Sequence, residues 1–210
     1  MKFEVDVREL VNLQERLGAL SAELKDRAVA AALNRTAEKG RTEVDRAVRD
    51  EYVISSERVR SSISLRQASA ARGTLTAEIQ IFGSPSKKGR SANVIAFMEK
   101  KVSFAEAKRR QKKGQLFVQS KGRLLPILRF VFKRGSAGKV IEGAFIGNKG
   151  RTVFRRVGKS RLPIEPVRVI DVGQMFRSKK VSKRVLDRIN RDLPIEVDRA
   201  VKSVLARLGR

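Results

Sequence analysis

The 210-residue chain contains no cysteine and no histidine. That combination removes disulfides, thiol nucleophiles, Cys/His metal sites and imidazole general bases. Carboxylate chemistry survives the exclusion, but acids are scarce in the apolar segments that read as sheet, and no pair of them is placed to converge on a cleft. Tryptophan is absent as well, tyrosine occurs once, at Tyr52, and there are five prolines. Aromatic residues interleaved with basic ones, the pattern suited to single-stranded nucleic acid, are thin: Phe97, Phe104, Phe117, Phe130, Phe132, Phe145 and Phe154 fall mainly at positions expected in a core. No run approaches the ~20 apolar residues of a membrane span. The first residues, Met-Lys-Phe-Glu-Val-Asp-Val, alternate as a strand does and lack the apolar stretch of a signal peptide. The expectation is a protein made in a cytoplasm and used there or in a particle assembled there, with no enzymatic activity, cofactor, membrane contact or small-molecule substrate.

What the chain has in excess is positive charge. Lys and Arg number 48 against 22 acids, a formal charge of +26. Self-repulsion on that scale is relieved by a polyanion or an acidic neighbour. The excess is not spread evenly. Between residues 83 and 161 stand 22 Lys and Arg against three acids, Glu99, Glu106 and Glu142, so 19 of the 26 charges lie in the middle of the chain, while the ends are nearly balanced. Lys87, Lys88 and Arg90 form one basic cluster, Lys108, Arg109, Arg110, Lys112 and Lys113 a second, and Arg155, Arg156, Lys159 and Arg161 a third. Such clusters suit a phosphate backbone, where each neutralised phosphate releases counterions without any base being read. They equally suit loops and strand edges that must stay soluble and refuse strand addition. Both readings remain open at this point.

The period of the apolar residues changes along the chain. Phe3, Val5 and Val7 share a strand face, and from Leu10 the stripe Leu13, Leu17, Leu20, Leu24 has helical spacing. Gly18 and Ser21 interrupt it, which predicts a short helix to about residue 19 and a long one from Ser21 to about Asp50. Ser55 or Ser56 caps a short helix with Val59 and Ile63 on one face; it is too short, and the helix before it too long, for a DNA-reading helix-turn-helix. Residues 64–67 and 74–82 read as a hairpin, and residues 104–111 as a short helix. Residues 116–118, 124–132 and 140–146 read as strands, with Pro126 demoting part of the middle one to an edge. Near the end, Val181, Val185, Leu186 and Ile189 form one helical stripe. Ile195, Val197, Val201, Val204, Leu205 and Leu208 form another, with Asp192 as a cap and Pro194 in a first turn between them. This predicts two helices, or one kinked at Leu193–Pro194. The fold class expected is α+β: an antiparallel sheet with long N-terminal and C-terminal helices packed against it. Residues 1–176 form one domain, and residues 177–210 a helical segment that packs on it or on a neighbouring subunit.

Residues 143–176 organise the rest. Ala144 and Ile146 alternate into a Gly-Asn-Lys-Gly turn at residues 147–150, and Thr152, Phe154, Arg155 and Arg156 follow, a two-stranded hairpin. Pro163 and Pro166 then favour an edge strand or an extended arm. Gly158-Lys159-Ser160 looks like the end of a phosphate-binding P-loop, but the glycine needed five residues earlier is Val153, so the backbone lacks the usual cradle. The order Phe145, Ile146, Gly150, Val153, Phe154, Arg155, Arg156, Gly158, Lys159, Ser160, Arg161, Leu162, Pro163, Ile164, closed by Val172, Gln174, Met175 and Phe176, resembles the bacteriophage minor tail protein Z family of tail-completion proteins. Gly173 departs from the pattern, where a more restricted residue is expected.

The resemblance implies a structural virion protein at the head-proximal end of a phage tail, assembled in the host cytoplasm. It implies a homohexameric ring that closes the tail tube and meets the head connector, with the tube or terminator proteins as partners; double-stranded DNA in the lumen is a further candidate partner, suggested by the +19 segment and not by the resemblance. Leu162, Pro163, Ile164, Pro166, Met175 and Phe176 become the candidate assembly arm, and the three basic clusters the candidates for contact with DNA or a partner. The rival from another class is a free-standing basic nucleic-acid-binding protein.

Overall fold

The computed structural model describes residues 2–5, 21–82, 93–98, 106, 109, 113, 117–120, 123–126, 128–141, 143–148, 152–158 and 160–208; for the strands at 2–5, 117–120 and 123–126 the description is of backbone only. Within these residues the helices are α1 (Ala22–Glu51), α2 (Ser56–Ser61), α3 (Val172–Phe176) and α4 (Lys179–Leu208). The two long ones pack on each other, and α1 also carries the first sheet.

α1 is built from residues that form helix readily and take little room. Ala28, Ala30, Ala32, Ala37 and Ala47 are buried along it, with Val29, Leu33, Val44 and Val48 supplying bulk. Gly40 marks the closest approach. A Cβ there would lie 2.8 Å from Ile79 Cδ1 in the sheet and 3.1 Å from Ile189 Cδ1 on α4, so α1 is gripped from two directions at this residue. The start near Ser21 and the stop at Glu51 agree with the periodicity. α2 begins as expected, with the Ser55 hydroxyl accepting from the Arg58 N–H, and it buries Val59. Ile63, expected on the same helix, instead opens a strand.

The strands form small antiparallel groups. β1 (Lys2–Val5), β2 (Ile63–Arg66) and β3 (Ala77–Ile81) make a three-stranded sheet in the order β1-β3-β2, with Leu65 and Phe3 both in register with Ile79. Two ribbons follow, β4 (Phe117–Ser120) with β5 (Arg123–Pro126) and β6 (Arg129–Phe130) with β7 (Lys139–Val140). A second three-stranded sheet, β10-β9-β8, consists of β8 (Ala144–Gly147), β9 (Thr152–Arg156) and β10 (Ile164–Pro166). The class is therefore α+β, with helices at both ends of the chain and small antiparallel sheets between. The hairpin turn at Asn148 has φ 47°, the left-handed backbone that Asn tolerates best among residues with a side chain.

Two apolar clusters fill the interior. The larger joins α1, α3, α4 and the first sheet; the smaller holds Val94, Met98, Leu128, Phe130, Ala144, Ile146 and Val153 beneath the second sheet. Phe132 and Val169 touch both, and Phe132 meets Phe97 at 5.2 Å between ring centres. Two asparagines join distant segments by imitating a peptide group. Asn34 donates to the Ala68 carbonyl at 2.9 Å and accepts from its N–H at 2.7 Å. Asn93 does the same for Val153, at 3.2 and 3.0 Å, so it pins the second sheet to the Val94–Phe97 turn. Each pair gives a backbone N–H, of Ala68 or of Val153, a side-chain acceptor.

At the C-terminal end the structure corrects the sequence reading. α4 runs unbroken through Pro194, and Asp192 is not a cap: its carboxylate is buried and accepts from Arg188 at 2.7 Å, with Lys39 at 3.6 Å. Of the two readings, two helices or one kinked at the proline, a single helix is found; Leu193 and Val197 are buried on either side of the proline, and the Asn190 carbonyl that Pro194 cannot serve belongs to an exposed residue. Of the two expected stripes, Leu186, Ile195 and Leu205 are exposed, while Val181, Val185, Ile189, Val197 and Val201 form the buried seam. The short helix expected before residue 19 lies outside the described residues. So does most of the one at 104–111, of which Glu106 and Arg109 are helical.

Because Gly40 faces side chains on both sides, Gly40→Leu is expected to lower the unfolding free energy by about 1–3 kcal/mol through overpacking. Urea denaturation followed by circular dichroism measures it, and unchanged stability would contradict the two-sided contact.

Candidate partner-binding surfaces and the charge around them

Several acids of the long helices are paired with cations of the same two helices. Glu43, Asp45, Asp192 and Glu196 are all buried. Along the antiparallel pair Lys39 meets Glu196 at 2.6 Å, Arg184 meets Glu43 at 2.6 Å and Asp50 at 2.7 Å, and Lys180 meets Glu51 at 2.7 Å. Arg199 adds a bond to Glu196 at 2.8 Å. Asp45 accepts from the Ser56 hydroxyl at 2.8 Å and has Arg60 at 3.3 Å, which ties α2 to α1. Burial pushes the Glu196 and Asp192 carboxyls up, but hydrogen bonds and charge from Lys39, Arg199 and Arg188 outweigh it, and both end below their ordinary values. The Lys180 hydrogen bond does the same for Glu51. On the other side of the ladder, the Asp50 hydrogen bond raises Arg184.

A cleft of about 580 Å³ beside this ladder is lined by Asn34, Arg35, Glu38, Lys39, Gln67, Glu196 and Arg199. Its buried carboxylate is poorly suited to proton transfer, because Glu196 is held ionised by Lys39 and Arg199. Among the described residues no group of three or more acids is placed to hold a metal ion, and no helix is long and apolar enough to cross a membrane.

The basic residues singled out in the sequence divide into two groups. Lys87, Lys88, Arg90, Lys108, Arg110, Lys112 and Lys159 lie outside the described residues. Arg109 is exposed and pairs with Glu106 at 3.1 Å, and Lys113 is exposed. Arg155 and Arg156, at the end of β9, and Arg161, in the link to β10, are exposed and share one end of the second sheet. The Arg156 guanidinium lies over the Phe145 ring at 5.4 Å.

The candidate arm also divides. Leu162 is 67% exposed and Ile164 38%, and Pro163 and Pro166 are exposed with them on the sheet's outer strand. Met175 and Phe176 are not part of that surface: they lie buried in the larger core, on a helix started by a capping box between Asp171 and Gln174. That box sets the path through Gly173, where the sequence pattern departs. Val157, 53% exposed beside the arm, was not singled out in the sequence; its place just after the Phe154-Arg-Arg strand was the available signal.

Geometry of this kind defines a protein that presents surfaces: a helix frame closed on its own charges and a basic sheet end carrying exposed apolar side chains. The family model for prophage minor tail protein Z (GPZ) matches residues 9–209, and the chain belongs to that family. It is thus a structural component of the phage tail and of the virion, a role that implies tail partners and no enzymatic activity. No curated protein and no solved structure matches the chain.

Since Asp192 and Glu196 titrate lower in the folded chain than their ordinary 3.8 and 4.5, their ionisation contributes stability that is fully present above those values and is lost as pH falls through the lower folded ones. Unfolding free energy measured down an acid series is expected to drop below pH 4.5. The paired substitution Asp192→Asn with Glu196→Gln should flatten part of that drop, and an identical acid profile in the variant would contradict the assignment.

Proposed function

We propose that this tail protein acts as a tail-completion subunit at the head-proximal end, closing the tail tube and preparing it to join the head connector. In this reading six copies form a ring, whose neighbours are the tail tube or terminator proteins on one side and the connector on the other. Residues 1–176 are the unit that builds the ring wall, and residues 177–210 the helical segment that clasps it. The observation that carries the reading is charge segregation. The helix pair neutralises its own buried acids, whereas residues 83–161 keep an excess of 19 positive charges. A ring with that excess turned toward the lumen would attract the DNA end passing from head to tail, without reading its bases. Leu162, Pro163, Ile164 and Pro166 supply an arm stiffened by two prolines, which loses little entropy on docking.

The free-standing nucleic-acid binder remains the second reading, favoured by the pI of 11.4. It calls for tight duplex binding by the isolated protein that collapses as salt rises; the tail reading calls for weak binding alone.

In phage lysates lacking this chain, the proposal expects separate filled heads and tails that do not join, and adding the purified protein should restore joined particles. Joining that proceeds without the protein would overturn it. Steeply salt-dependent duplex binding by the isolated protein, with no rescue, would favour the second reading.

A further inference from the structure

The two faces of the β8-β9-β10 sheet are unlike what alternation alone provides. Register places Ile146 opposite Val153 and Ala144 opposite Arg155, with Val153, Ile146 and Ala144 buried in the smaller core. The intervening pairs, Phe145 with Phe154, Phe154 with Pro166 and Arg156 with Ile164, fall on the other face. A sheet covered on one side carries polar residues on its second side. Here that side carries two phenylalanines, an isoleucine and a proline. The rings stack at 6.0 Å between centres and 29° between planes. Gly147 lets the Phe154 ring lie against β8, since a Cβ there would stand 2.8 Å from it. Leu162 extends the apolar surface beyond the strands.

Exposed arginines stand on and beside this face: Arg156 is paired with Ile164, and Arg161 and Arg168 lie in the chain on either side of β10. Strand addition has little to hold at this edge. The Val157 N–H donates to the Pro163 carbonyl and the Val167 N–H to the Val153 carbonyl, which turns the backbone groups of Ile164 and Pro166 outward, and of these two Pro166 has no N–H to offer. Side chains therefore make up most of what this face presents.

We propose that the outer face of this sheet docks another tail protein, through an apolar segment of that protein bordered by aspartates and glutamates. This rests on the tail reading and gives the arm a partner chemistry and a second row of contacts, Phe145 and Phe154. Charge complementarity selects that occupant. The same face of a second copy would set arginines against arginines. Nucleic acid is a poorer match, because Arg156 already covers Phe145, the rings stack on each other, and Ile164, Leu162 and Pro166 offer nothing for a base to stack on.

The test uses the full chain and tails purified from a phage lacking it, with co-sedimentation as the readout. The pair Leu162→Ser with Ile164→Ser, both exposed, should weaken binding by about tenfold or more while leaving the melting curve unchanged. Arg156→Glu should weaken it as well and reduce its salt dependence, and a poly-dT oligonucleotide should not compete. Tails that bind the wild-type chain and both variants equally would overturn the docking face and leave the tail reading standing. Tails that bind no wild-type chain would overturn both. Competition by poly-dT would give the face to nucleic acid, and self-association of the free chain abolished by the serine pair would give it to a second copy.

Discussion

Glu196 sits on α4 with 2% of its side chain exposed and is held there by Lys39 of α1 and Arg199 of its own helix. A carboxylate so placed has lost most of its hydration, at a cost of several kcal/mol, and remains ionised only because cations meet it at hydrogen-bonding distance. The same condition repeats at Asp192, which Arg188 meets at 2.7 Å. These contacts are weak as net stabilisers, but they specify register: an α4 shifted by one turn along α1 would leave buried acids without partners. Apolar packing at Gly40, Leu33, Val44 and Ile189 supplies the cohesion, and the charged ladder lies along the same pair of helices.

That arrangement has a consequence for the middle of the chain. Most acids committed to the helix pair do not reach the middle segment, where Lys133 at 3.6 Å from Glu51 is an exception, so residues 83–161 keep a large basic excess that an anionic partner would relieve. The second sheet shows how it is presented. Its inner face is fastened to the body by Val153, Ile146 and the Asn93 side chain, which leaves the outer face and the proline-bearing strand free to meet a partner without disturbing the core. Rigid attachment behind and complementary charge in front are what a permanent joint in an assembled particle requires.

Local features were legible in the sequence. The extent of α1, the start of α2 at its Ser55 cap, the hairpin at Asn148 and the exposed prolines all follow from periodicity, capping and turn chemistry, which act over a few residues. What was not legible depends on groups far apart in the chain. Asp192 looks like a cap until Lys39 and Arg188 are seen around it, and Pro194 looks like a break until Leu193 and Val197 are seen held against α1. Asn34 and Asn93 carry no local signal for their pairing with Ala68 and Val153. Met175 and Phe176 were read with the arm because they follow it in sequence, whereas the capping box at Asp171 turns the chain into the core before they are reached. Phe145 and Phe154 were assigned to the interior by composition; register alone shows that they lie opposite the buried face.

The most direct test of the account is the position of the protein in the particle. Intact virions carrying a gold label at the C-terminal residue, imaged at the neck, should show the label as a ring at the junction of head and tail. Label confined to the distal tip of the tail, or absent from purified virions, would contradict the placement on which the roles of the basic segment and the arm depend.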